Sequence, residues 1–225
     1  MMKRSTRRFI ALVFGVGIVL AAILSTVPPE VTPSPTTVPA TGSAVDTLEK
    51  IVIKGRAPKT NYAREQFGNG WSIINGCDTR NIILYRDISN PVVDEDCHVQ
   101  SGTLQDPYTG EQILFTRENG SAVQIDHVVA LSDAWQKGAQ QLSREQRIQL
   151  ANDPLELLAV DGPANMEKSD ADAATWLPSN KAFRCSYVAR QIAVKQKYSL
   201  WVTQAEKEAI LAVLADCPGQ TLPAK

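Results

Sequence analysis

Asp126 and His127 stand next to each other inside an otherwise apolar, β-branched run, Gln124-Ile125-Asp126-His127-Val128-Val129-Ala130-Leu131. In an extended chain neighbouring side chains point to opposite faces, so a strand here turns one ionisable group inward, or ends or bulges at that point. A chance polar pair at a strand end is the bland reading of one Asp-His dipeptide. A second polar stretch further on, Asn165-Met166-Glu167-Lys168-Ser169-Asp170, weighs against it.

The 225 residues divide by composition into a leader, a spacer and one domain. Lys3, Arg4, Arg7 and Arg8 precede an uncharged apolar run over residues 9–24, the pattern of a basic n-region and an h-region. Residues 1–25 are therefore expected to be a signal peptide or an N-terminal membrane anchor. No clean small-x-small cleavage site follows the run, so both alternatives stand. Either one puts the domain outside the cytoplasm, secreted or anchored on the outer side of the membrane. Residues 26–44, with Pro28, Pro29, Pro33, Pro35 and Pro39 and almost no charge, read as an extended spacer. Residues 45–220 are long enough to bury a core of their own.

Four cysteines in an exported domain suggest two disulfides, and pairing within local segments favours Cys77 with Cys97 and Cys185 with Cys217. A zinc site competes, but no pair has the usual two-to-four residue spacing. Cys97 beside His98 is a further, weaker nucleophile–base reading. The chain carries 23 Lys and Arg against 24 Asp and Glu, and without its four basic leader residues the balance is about −5. That argues against tight, charge-driven binding to long nucleic acid. Yet Lys50, Lys54, Arg56, Lys59, Arg64, Arg80 and Arg86 crowd into the first part of the domain, either as a solvated face or as phosphate contacts.

Residues 51–54 read as a short strand, 62–67 as a helical turn and 81–86 as a strand or helix end, with Trp71 as core. Asp106-Pro107-Tyr108-Thr109-Gly110 is a turn signal. Residues 112–117 and 123–131 are expected to pair as a hairpin across Glu118-Asn119-Gly120. A helical pattern with Ala134 and Trp135 follows, broken at Gly138. Ser143 with Gln146 and Thr203 with Glu206 are capping-box signatures. A strand is expected over residues 155–160. Pro163 then suits the first turn of a helix carrying Asn165 and Lys168 three apart, and a helix is expected over 183–198.

Cutting a phosphodiester requires an activated water, a counter-charge for the departing oxygen and a grip on the phosphate. A neutral imidazole accepts a proton near pH 7, and a carboxylate with an amide oxygen makes a hard ligand pair for Mg²⁺. Asp126-His127 followed by Asn165-x-x-Lys168-Ser169-Asp170 resembles the HNH (His-Asn-His, ββα-metal) endonucleases, and the second stretch is similar to that of the HNH domain of RNA-guided CRISPR nucleases. Residues 123–217 resemble more closely the C-terminal domain of GmrSD-type restriction enzymes and its exported actinobacterial stand-alone relatives. The likeness runs through Asn152-Asp153-Pro154, Leu157-Leu158-Ala159-Val160-Asp161, Ala164-Asn165 and Trp176-Leu177-Pro178. Lys54-Gly55-Arg56-Ala57-Pro58-Lys59 and Gly76-Cys77-Asp78-Thr79-Arg80 extend it upstream.

The resemblance implies an α+β fold: a small antiparallel sheet, a ββα-metal core within about residues 113–178 and additional packing helices. It implies an exported endonuclease acting on nucleic acid, DNA being the expected substrate, with one Mg²⁺ or Mn²⁺ held by Asp126 and Asn165. His127 would be the general base. By their charge, Lys168 is expected as a catalytic and phosphate-neutralising residue, and Arg56 and Arg80 as further substrate contacts. One departure stands out: Glu156 replaces the asparagine that is the middle letter of the family name, and an ionised glutamate cannot donate a hydrogen bond. A non-catalytic binding or envelope module on the same scaffold is the rival expectation.

Overall fold

A computed structural model describes residues 43–223. The leader and almost all of the spacer, and with them the signal-or-anchor alternative, lie outside the described residues. Among those described, no helix is long and apolar enough to cross a membrane.

The chain is α+β. It runs α1 (Ala44–Lys50), β1 (Ile73–Ile74), β2 (Cys77–Asp78), α2 (Thr79–Asp87), β3 (Ile88–Val93), β4 (Val99–Gln105), β5 (Gln112–Thr116) and β6 (Val123–His127). It continues with α3 (Leu131–Gln136), α4 (Arg144–Ala151), β7 (Leu157–Asp161), α5 (Gly162–Lys168), α6 (Arg184–Lys197) and α7 (Gln204–Ala215). Among the described residues three small antiparallel sheets form: β1-β2, β3-β4-β5 and β6-β7. Both expected capping boxes are present, Ser143 with Gln146 on α4 and Thr203 with Glu206 on α7. The segment at residues 51–54 is only an isolated bridge from Ile53 to Val202, and residues 81–86 lie within helix α2.

The expected hairpin is not formed. β5 pairs with β4, and β6 pairs with β7, in register Asp126↔Leu158 and His127↔Leu157. Burial explains the choice. β5 has one wet face, whereas β6 and β7 are covered on both, so β6 needs a partner as apolar as Leu157-Leu158-Ala159-Val160. A 3₁₀ turn over Arg117–Asn119 carries the chain from one sheet to the next.

The β6-β7 pair is a partition between two cores. Val123, Ile125, Leu157 and Ala159 face a cluster built on α2, β3, β4 and Phe115. Leu158 and Val160 face the larger cluster of α1, α3, α6 and α7. Among the described residues the outer edge of β7 has no third strand, and side chains satisfy its backbone instead: Arg86 donates to the Leu157 carbonyl (2.8 Å), Asp87 accepts from Ala159 N (2.9 Å) and Asp106 accepts from Asp161 N (2.9 Å). The disulfides Cys77–Cys97 and Cys185–Cys217 are the pairs expected from spacing, with Cα separations of 5.5 and 6.4 Å. All four thiols are thereby consumed, which removes the thiolate-zinc and Cys97–His98 readings. The Cys185–Cys217 bond joins α6 to the end of α7 across 32 residues and contributes about 3–4 kcal/mol.

Candidate functional site

Alternation along β6 sends its polar side chains two ways. Gln124 and Asp126 face α5; His127 faces the opposite side. α5 begins at Gly162, whose N–H bonds the Ala122 carbonyl at 2.9 Å, and Asp161 caps it through Ala164 N. A side chain at Gly162 would collide with the Ser121 carbonyl oxygen, so glycine lets the helix start against β6. Asn165 and Lys168, three apart on the helix, then meet Gln124 and Asp126, two apart on the strand. Asn165 Nδ2 donates to Gln124 Oε1 (2.9 Å), and Lys168 Nζ donates to Asp126 Oδ1 and to the His127 carbonyl (both 2.9 Å).

Asp126 is buried and its second oxygen accepts from the Tyr108 hydroxyl. Tyr108, itself fully buried, is delivered by the Asp106–Gly110 turn and wedged among Trp176 and Tyr187 at ring separations of 5.0 and 5.6 Å. Burial pushes the Asp126 carboxyl above its ordinary range, while the Lys168 ammonium and the Tyr108 hydroxyl pull it back. Both Asp126 oxygens are thus occupied by proton donors, and Asn165 is turned to Gln124. Among the described residues no three His, Cys, Asp or Glu side chains converge as a metal set. As arranged, these donors do not fit a divalent ion: an ammonium already neutralises the carboxylate that would ligate it.

His127 looks out on different surroundings. Its Nε2 lies 2.9 Å from the Ala151 carbonyl, which only accepts, so Nε2 carries the proton and Nδ1 keeps the lone pair. The imidazole is stacked on Trp71, with ring centroids 5.8 Å apart and planes 6° from parallel. Burial, with minor help from Arg64 and Lys168, holds its pKa down to about 3, so the ring is neutral throughout the physiological range.

Glu156 sits where the loop after His127 is fastened. Its carbonyl accepts from Val128 N (2.9 Å) and its Oε2 from Val129 N (3.2 Å). Burial pushes this carboxyl well above the carboxylate range, the Val129 amide working the other way. A neutral acid can donate as well as accept, so Glu156 is closer to the expected asparagine than its charged form suggests.

The two expected arginine contacts are committed elsewhere. Arg56 lies 2.7 Å from Asp172 and 3.2 Å from Asp133, at the edge of a buried network with Lys137, Lys195 and Glu206. Arg80 donates to the Gly120 and Val123 carbonyls at the start of β6 (3.4 and 3.2 Å). The structure thus gathers Asp126, Asn165 and Lys168 on one face, puts His127 on the other, and keeps Arg56 and Arg80 apart from both. Sequence reasoning missed Tyr108, Gln124 and the Ala151 carbonyl. The aromatic inside an Asp-Pro-x-Thr-Gly turn was the available signal for the first; the other two depend on strand pairing.

No solved structure matches the chain. It is similar to an uncharacterized secreted protein of Arthroderma benhamiae, 35% identical over 201 residues, spanning 88% of this chain and 97% of that protein. The family model described as GmrSD restriction endonucleases, C-terminal domain, matches residues 83–213, from α2 through α7. The chain belongs to the family of GmrSD C-terminal, HNH-type nuclease domains.

Proposed function

We propose that the protein is an exported nuclease that hydrolyses phosphodiester bonds, DNA being the expected substrate, on a ββα unit made of β6, β7 and α5. His127 carries this reading: a neutral imidazole whose proton is fixed on Ala151 leaves Nδ1 free to take a proton from the attacking water. A basicity as low as about 3 is weak for the task, but an anionic phosphodiester brought beside the ring favours the imidazolium and raises it. Asp126 and Lys168 act from behind the strand: the ammonium bonds both the Asp126 carboxylate and the His127 carbonyl, tying the imidazole's backbone to α5. Glu156 fastens the next two residues. A divalent ion at Asp126, the expectation from the sequence, requires Lys168 and Tyr108 to release that carboxylate. Family membership and a secreted relative support both the activity and the location.

The rival reading, a non-catalytic module on a nuclease scaffold, is favoured by the filled Asp126 carboxylate. A zymogram of the exported fraction on DNA-containing and RNA-containing gels separates the two. A cleared band at the mass of the chain, absent for His127→Ala, is the expected result. No clearing on either gel returns the rival.

A further inference from the structure

Beside His127 lies a cleft of about 160 Å³. Arg64, Gly70, Trp71, Leu131, Ala151 and Asn152 are among its walls. Two of these touch the imidazole, Trp71 by stacking and Ala151 through its carbonyl. Trp71 packs against the strand core yet remains half-exposed, so part of its indole faces the opening. Gly68 and Gly70, at φ +107° and +119°, turn the backbone along the rim, and a Cβ on Gly70 would meet nothing within 4 Å. Arg64 is exposed and makes no hydrogen bond or ion pair among the described residues. Its charge is felt at His127. Asn152, by contrast, is spent on Ser72 N and the Ile148 carbonyl.

An exposed guanidinium beside a half-exposed indole matches the two parts of a nucleotide, an anionic phosphate and a flat base. The volume is below the roughly 300–1,000 Å³ of pockets that enclose a drug-sized ligand, which suits one ring system and leaves the rest of a strand on the surface. A base inside a duplex has its faces covered by its neighbours and cannot offer one to Trp71. We propose that this cleft seats one unpaired nucleotide, its base on Trp71 and its phosphate on Arg64, making the protein selective for single-stranded polynucleotide. The proposal rests on the nuclease reading and names the substrate form that site would take.

Fluorescence anisotropy of the full exported chain with phosphorothioate-linked dT12, rU12 and a twelve-nucleotide abasic strand tests it. The wild-type protein is expected to bind either base-bearing strand about tenfold tighter than the abasic one. Trp71→Leu erases that ratio. Arg64→Ala weakens all three strands alike by several-fold and reduces the slope of log affinity against log salt by about 0.7. Because Trp71 also packs on the strand core, a Trp71→Leu protein that does not fold leaves the decision to the wild-type base-to-abasic ratio and the exposed Arg64. A ratio near one in the wild type, or an Arg64→Ala protein with unchanged affinity and salt slope, overturns the proposal. These readouts need no cleavage, so loss of the nuclease reading, seen as full activity in His127→Ala, is separately visible.

Discussion

Lys168 shows how one side chain acquires its role from where the fold puts it. The sequence marks it as a cation near Asn165, suited to phosphate; the structure buries it completely and aims its ammonium at Asp126. Removing one partner of a buried pair leaves an uncompensated charge, so Lys168→Met should cost about 3–5 kcal/mol. Urea unfolding measures this, and Asp126→Asn added to Lys168→Met should recover part of the loss. A single variant as stable as wild type contradicts the pairing. Glu156 makes a second prediction, with its sign fixed by burial. Its carboxyl is raised in the folded state, so its contribution is present at acid pH and lost as pH rises through that raised value. Glu156→Gln cannot titrate, and its stability relative to wild type should therefore improve as pH rises from the ordinary glutamate range toward that raised value. Parallel urea midpoints across that range would show that Glu156 is not held neutral. Its place at the family's asparagine was legible; its protonation was not, because that depends on what covers it.

At the scale of elements, local chemistry was legible and partnership was not. Capping residues, the Asp106–Gly110 turn and the proline-led helix α5 act within a few residues of themselves, so the sequence shows them. The pairing of β6 with β7, thirty-odd residues apart, depends on both strands being covered on both faces. β3 and β4 went unread: β3 is interrupted by a proline and its pairing by register shifts. The close start of α5 offers a direct test. Gly162→Ala must push the helix off the Ser121 carbonyl, and so loosen the Asn165–Gln124 and Lys168–Asp126 contacts together. A loss of about 2 kcal/mol or more is expected, with activity falling by more than the unfolded fraction explains. Wild-type stability and activity in that variant would show that the helix has room to spare.

Across residues 43–223, two cores meet at a two-stranded sheet, and the chemistry-bearing side chains lie where that sheet divides them. Being covered on both faces gives Asp126 its ammonium and His127 its fixed tautomer, and sets them back to back. The sequence places the two residues side by side; only the packed fold shows that they serve different faces. The initial rate of cleavage of single-stranded circular DNA by the purified protein and by His127→Ala, measured from about pH 5 to about pH 8, tests the claim that a neutral His127 takes the proton from water. The expected result is a loss of about 100-fold or more in the variant, and a wild-type kcat/KM with no acid limb near pH 6.5, since the free enzyme's imidazole titrates at about 3. Equal rates for the two proteins would contradict it.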